Sequence, residues 1–374
     1  MELMSIMIKP VSGQCNLKCR YCFYRDEMNK REKGFRGNMG LDTLEKVIRK
    51  TLEKTETECT ISYQGGEPTL RGLDFFKSSL EIQNKYNQKN VMIHNAIQIN
   101  GYDIDEKWAE FFSENHFLVG VSVDGNKRTN DMYRHTPEGT GSFEKIMHTI
   151  NLFKQYDVNY NVLTVVNSST AKYIKKIYSF YQKNRFEYVQ FIPCLDPLGE
   201  SPGKQEFSLT PHAYGEFLKE LFDLWYEDLK KGTHPYIRMF ENIIGIYMGK
   251  LPEACDQRGI CSRQYVIEAD GSVYPCDFFV LDQYCLGNLN TDSYAEIDRK
   301  RQEIHFIEKS ARFSQECMEC RWFPLCRGGC RRMRMEEENK EERNYLCEAY
   351  RAFFEYTSER FEEIAARLRM KSQA

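Results

Sequence analysis

Six times before residue 193 the chain passes from a short β-branched stretch into an amphipathic one, and no other feature limits its fold as strongly. The strand candidates are residues 4–8, 60–63, 91–98, 118–123, 160–166 and 188–192. Between them Leu44, Val47, Ile48 and Leu52 recur at helical spacing behind an Asp42-x-x-Glu45 capping box, and Phe143, Ile146, Ile150 and Phe153 do the same behind Ser142. Strands and helices alternating over short connections make βα units around a parallel sheet, so the fold class is α/β, with a partial (β/α)6 barrel of TIM type over residues 1–230. Sites in such barrels collect where the strands end. Those places hold Cys15 to Cys22, the run QGGEPT, Asn100-Gly101, Ser122 to Gly125 and Cys194 to Pro197.

The rest of the chain has another character. Residues 231–254 read as a helical linker, and 255–374 as a small cysteine-rich domain with a β-hairpin at Asp270-Gly271 and a closing helix from about Glu348. A length of 374 residues suits one large domain with an appendix. The net charge of -3 gives no reason to expect nucleic acid as a partner, despite short basic runs such as Arg331, Arg332 and Arg334. The N-terminal segment lacks the pattern of a secretory signal, and no stretch reaches about 18 uninterrupted apolar residues, so a soluble cytoplasmic protein with no membrane partner is expected.

In a reducing compartment 14 cysteines are better read as metal-binding thiolates than as disulfides. They cluster as ligands do. Cys15-x-x-x-Cys19-x-x-Cys22 runs directly into Phe23 and Tyr24, and Cys317, Cys320, Cys326 and Cys330 share one short segment, whereas Cys59, Cys194 and Cys285 stand apart and read as ordinary core thiols. Three thiolates on a four-iron cube leave one iron open to an outside ligand; a zinc site is the competing reading for either group.

The first motif resembles the signature of the radical S-adenosylmethionine superfamily, whose cofactor chelates that open iron and, on reductive cleavage, gives a 5′-deoxyadenosyl radical. On its own, the pair Gly65-Gly66 would let a ligand approach the backbone closely. GGEP resembles the superfamily's GGE motif, which implies that Gly65, Gly66 and Glu67 contact the methionyl amine. By the same resemblance Ser122 and Asp124 reach the cofactor's carboxylate or ribose, and Tyr24 lies at the cofactor.

Cys255, Cys261-x9-Gly271-x4-Cys276, the four thiols from Cys317 to Cys330, and Cys347 resemble the SPASM domain, which holds two auxiliary four-iron clusters. The resemblance implies Cys255, Cys261, Cys276 and Cys330 on one cluster and Cys317, Cys320, Cys326 and Cys347 on the other. With the first site this makes three [4Fe-4S] clusters.

Several stretches outside the ligands narrow the likeness: MIKPVSGQCNLKCRYCFY, YQGGEPTLRGLDFF, FLVGVSVDG, QFIPCLDPL, EADGSVYPCDFFVLD and CRWFPLCRGGCRR are similar to the anaerobic sulfatase-maturating enzymes. That family implies oxidation of a cysteine or serine, within a Cys/Ser-x-Pro-x-Arg motif of an unfolded or nascent sulfatase, to Cα-formylglycine. It also implies a low-potential electron donor such as flavodoxin or ferredoxin. Asp277, next to Cys276, matches the family's proposed general base; Gln64 and Arg238 are weaker candidates for substrate contacts. The chain departs from the pattern at QING (98–101), where the family commonly has QTNG, and over 132–142, which puts cofactor contacts there in question. A second enzymatic reading is a SPASM maturase that crosslinks a ribosomal peptide through a thioether or carbon-carbon bond. Such enzymes often carry an extra N-terminal peptide-binding domain, for which the position of Cys15 leaves no room.

Overall fold

The computed structural model describes residues 1–335 and 343–373; residues 336–342 and Ala374, within the expected C-terminal domain, lie outside the described residues. All six expected strands form, as β1 (Leu3–Ile8), β2 (Glu58–Tyr63), β3 (Met92–Ile99), β4 (Leu118–Ser122), β5 (Tyr160–Val166) and β6 (Tyr188–Pro193). Further short strands are β7 (Tyr236–Ile237), β8 (Tyr265–Ile267), β9 (Ser272–Tyr274) and β10 (Gly287–Asn288).

The chain packs as two compact units. The first comprises Met1–Ser122, Arg134–Asn161 and Arg263–Phe306. Its strands follow the order β10-β9-β8-β1-β2-β3-β4. From β8 to β4 the pairing is parallel, and β8-β9-β10 is an antiparallel meander. Alternation fixes the face each strand buries: Met4, Ile6 and Ile8 of β1 and Cys59, Ile61 and Tyr63 of β2 point into the core.

The hairpin forms where expected but extends the barrel's own sheet, because β8, buried at every residue, pairs in parallel with Ile6–Ile8. The packing units therefore interleave along the chain and do not follow the expected boundaries at 230 and 254. We retain those boundaries as a proposed division into functional segments.

The second unit comprises Val123–Tyr133, Val162–Ser262 and Ile307–Ala374. It holds most of β5, with β6 and β7 paired in parallel beside it. Residues 231–254, expected as a linker, contribute core instead: the helix Arg238–Tyr247 buries Phe240, Ile243 and Ile244, and Phe240 packs on Phe353 and Phe361 of the closing helix Cys347–Gln373.

Two local expectations fail. Helix Leu41–Lys54 starts at Gly40 with no side-chain cap, because Glu45 faces the neighbouring helix Leu73–Tyr86 and accepts from Lys85 and Tyr86, each at 2.7 Å. Ser142 does precede helix Phe143–Gln155, but its hydroxyl donates to the carbonyl of Arg134 rather than capping. Among the described residues no helix is long and apolar enough to cross a membrane.

Candidate active site

Register builds the first unit's site. Ile8 lies opposite Tyr63 on one side and Ile267 on the other, so the residues that follow, Lys9, Gln64 and Glu268, emerge at one level at the C-terminal ends of three parallel strands. The hairpin then turns back through β9, and beyond it a short 3-10 turn carries Asp277, whose carboxylate reaches Lys9 and Gln64. Asp277, only 7% exposed, is held at both carboxylate oxygens: Oδ1 pairs with the Lys9 ammonium, and Oδ2 accepts from the Gln64 amide at 2.6 Å.

Behind them Tyr24 sits with its ring 3.8 Å from the Lys9 ammonium. Its hydroxyl donates to Glu268, which also pairs with Arg31 at 2.7 Å. Burial, reinforced by the Glu268 carboxylate, holds the Tyr24 phenol well above its ordinary pKa, so it stays protonated.

The cysteine loop follows β1. Burial, with the nearby Glu67 carboxylate, pushes the Cys15 thiol up to about 12, with Cys19 and Cys22 adding to the rise. Burial likewise raises Cys22, opposed by the backbone N–H groups of Arg25 and Tyr24. Uncompensated thiolates are costly in such a place, and cationic iron would offset that cost.

The glycines of GGEP are also hemmed in by the protein itself. A Cβ on Gly65 (φ +107°) would stand 2.8 Å from Cγ of Lys9, and one on Gly66 (φ +56°) 2.2 Å from the carbonyl of Gln14. The space they leave is filled by Lys9 and by the backbone of the cysteine loop, not by open solvent. Glu67 is fully enclosed: Oε1 accepts from the Thr69 hydroxyl at 2.7 Å and Oε2 from the Asn100 N–H at 2.6 Å. Burial raises its pKa against those hydrogen bonds. Asn100 in turn reaches toward Cys15 Sγ at 3.6 Å. Ser122 accepts from Gln98 at 3.1 Å.

A profile described as the radical SAM superfamily matches residues 10–181, and one described as an iron-sulfur cluster-binding domain, SPASM, matches 255–321. The chain is 44% identical to cysteine-type anaerobic sulfatase-maturating enzymes of Clostridium novyi, over 95% of each chain, and of Clostridium perfringens, over 98% of this chain and 99% of that one. The chain belongs to the anaerobic sulfatase-maturating enzymes. Its identity to a serine-type member from Bacteroides thetaiotaomicron is 33%, over 94% of this chain. Among solved structures, one described as native anSMEcpe with bound AdoMet and Cp18Cys peptide aligns with a TM-score of 0.93 at 43% identity, over 98% of this chain and 99% of that one. A Streptococcus suis SuiB structure, at 15% identity and a TM-score of 0.63, shares the fold alone.

Membership in this family implies S-adenosylmethionine and iron-sulfur clusters, and the thiols of the second unit fit such groups. Cys330 lies within electrostatic reach of Cys255 and Cys261, and Cys326 within that of Cys347, Cys317 and Cys320. Burial pushes both Cys326 and Cys330 up to about 12. These are soft, crowded and partly buried donors, the set that iron-sulfur clusters select. Among the described residues no three Cys, His, Asp or Glu side chains close around a single-ion position.

One guanidinium ties these loops together. Arg334 donates through Nε to Gly328, through Nη1 to Ser310 and Arg312, and through Nη2 to Gly259 and Gly329, all backbone carbonyls. Gly259 precedes Cys261, and Gly328 and Gly329 lie between Cys326 and Cys330. Ser310 also accepts from the Cys261 N–H at 2.8 Å.

Of the other residues singled out in the sequence, Arg238 donates to Gln190 at 3.1 Å and lines a small cavity with Asp256. Asp124 is buried and accepts from the Val165 N–H. Cys59 and Cys194 are buried, and Cys285 packs against the cluster of Tyr24, Val266, Tyr274 and Val280. Sequence reasoning missed Lys9, Arg31, Glu268 and Arg334. It also missed Arg134, in the segment that diverges from the family, which bonds the Tyr21 hydroxyl at 3.1 Å and lies within electrostatic reach of Cys22 and Glu67. A lysine or acid placed directly after an apolar strand was the only available signal.

Proposed function

We propose that this enzyme oxidises the cysteine of a Cys-x-Pro-x-Arg segment in an unfolded or nascent sulfatase to Cα-formylglycine, in the cytoplasm, with a flavodoxin or ferredoxin as its reductant. The observation that carries the reading is a buried carboxylate, Asp277, held at the strand ends that also carry the cysteine loop. The higher identity to cysteine-type than to serine-type relatives supports cysteine as the target.

When bound, S-adenosylmethionine and its cluster supply a radical able to take a hydrogen atom from an unactivated carbon, and two auxiliary clusters supply an electron acceptor. Cys15, Cys19 and Cys22 hold the first cluster. Gly65, Gly66 and Glu67 shape the cofactor's amine end, with Ser122 and Tyr24 beside it. Because Glu67 spends both oxygens on Thr69 and Asn100, its part is to fix that loop as much as to touch a ligand. Cys317, Cys320, Cys326 and Cys347 hold one auxiliary cluster, and Cys255, Cys261 and Cys330 the other, with Cys276 as its fourth ligand on the strength of the SPASM likeness.

Asp277 takes the proton from the substrate thiol. With a hydrogen atom lost from Cβ, a proton from sulfur and one electron, the side chain becomes a thioaldehyde, and water converts it to the aldehyde and sulfide. Gln64 and Arg238 are assigned to substrate contacts, Gln64 acting through its bond to Asp277.

The test is anaerobic incubation of reconstituted enzyme with S-adenosylmethionine, a strong reductant, and paired Cys-x-Pro-x-Arg and Ser-x-Pro-x-Arg peptides. Aldehyde formation on the cysteine peptide matched by 5′-deoxyadenosine is expected. Deoxyadenosine with both peptides unchanged refutes the substrate assignment.

A further inference from the structure

Lys9 is a wholly buried ammonium, 0% exposed, on a strand end with no assigned role. Its backbone is pinned, since the Lys9 N–H donates to the carbonyl of Ile267 at 2.8 Å and so ties β1 to the strand that leads into the Asp277 hairpin. Its side chain is walled in by Gly65, where any Cβ would press on Cγ, Cδ and Nζ. At its tip are the Asp277 carboxylate on one side and the Tyr24 ring on the other. Apart from Asp277, no described side chain or carbonyl takes a hydrogen bond from Nζ.

A bare ammonium in the interior costs several kcal/mol unless a partner compensates it, so a fold that keeps one there has to hold its partner in place as well. Asp277 opens a short 3-10 turn beyond the hairpin strand, and its carboxylate is held by Lys9 and Gln64. Lys9 and Gln64 supply that restraint from opposite sides, one on each oxygen.

We propose that Lys9 is the positioning residue of this reaction: it clamps Oδ1 of Asp277 so that the carboxylate presents a fixed edge to the substrate thiol. The first glycine of GGEP is small because it must admit the Lys9 stem. This rests on the reading of Asp277 as the base. Lys9 itself exchanges no proton and touches no reacting atom, so its loss should uncouple proton removal from radical formation rather than stop radical formation.

The experiment compares reconstituted holoenzyme of wild type, K9M, K9Q, K9R and D277N on the Cys-x-Pro-x-Arg peptide. It records formylglycine formed per 5′-deoxyadenosine, iron per chain, and peptide affinity. K9M and K9Q are expected to keep wild-type iron and bind peptide within about threefold, while formylglycine per deoxyadenosine falls about 10-fold or more, as misplacing a catalytic group does. K9R, which restores the cation at a different length, is expected to recover part of the ratio. If either neutral variant folds with full iron and keeps the wild-type ratio while D277N loses product, the clamp is refuted and the base survives. If D277N itself keeps the wild-type ratio, the base assignment fails instead, and the clamp with it.

Discussion

Replacing Arg334 by methionine removes a guanidinium that donates to five backbone carbonyls in the second unit; those of Gly259, Ser310 and Gly329 are buried and depend on it, whereas Arg312 is exposed and the Gly328 carbonyl also accepts from Asn344. Nothing apolar can replace those donors. A buried carbonyl left without a partner costs about 1 kcal/mol at the low end, so with three of them the R334M variant should lose about 3 kcal/mol. That is a large share of the stability of a small domain, about 5–15 kcal/mol. Lysine keeps the charge but carries its donors on one nitrogen, without the guanidinium's fork, so R334K should satisfy only part of this set and cost about 1 kcal/mol. Because the carbonyls lie in the loops that carry Cys261, Cys326 and Cys330, the loss should fall on the auxiliary clusters. The assay is iron and labile sulfide per chain after anaerobic reconstitution, read beside a thermal melt. Wild type should approach about 12 irons, and R334M should fall toward about 4, retaining the cluster that cleaves S-adenosylmethionine. R334K should lie between them in both readouts. R334M with wild-type iron and an unchanged melt would refute the reasoning, since three buried carbonyls without a donor would then have cost nothing.

Cys22→Ala should lower iron by about one four-iron cluster and abolish deoxyadenosine formation, as two thiolates do not retain the cube. Gly66→Ala should weaken S-adenosylmethionine binding at least about 10-fold in equilibrium dialysis, because its Cβ would stand 2.2 Å from the Gln14 carbonyl at a backbone angle alanine resists. Asp277→Asn should continue to make deoxyadenosine while formylglycine falls about 10²-fold or more. It should also melt earlier, since Lys9 is left buried beside a neutral amide at a cost of about 3–5 kcal/mol.

What could be read from the sequence was whatever repeats locally. Strand runs such as Tyr160–Val166 carry their period in their own residues, and cysteine spacing states ligand grouping without reference to the fold. Cys326 and Cys347 are a case in point: 21 residues apart, both lie within electrostatic reach of Cys317. Long-range pairing was invisible. Three residues, Tyr265–Ile267, decide that the hairpin joins β1, and no pattern within them names a partner some 260 positions away. Lys9 was hidden for the same reason, since a strand-end lysine looks solvated until the registers of β1, β2 and β8 set it beneath Asp277. The glycines of GGEP were legible in part: their smallness was evident, but what presses on them depends on Lys9 and Gln14, which no spacing rule connects to them.

The seam between β1 and β8 bears on how this enzyme can be taken apart. Severing the chain after residue 254 removes the neighbour that occupies one side of β1, and the exposed run Ile6–Ile8 becomes a bare hydrogen-bonding edge of the kind that recruits other chains. A shortened cofactor-cleaving fragment should therefore aggregate, whereas one that keeps the 263–306 segment on a linker should not. The same seam restricts grafting. A foreign C-terminal half brings a new peptide preference only if it also brings a strand able to complete this sheet in the same register, because the acid at 277 inherits its address from that strand. Diversification of such enzymes by shuffling whole halves is thereby confined to donors that share the seam.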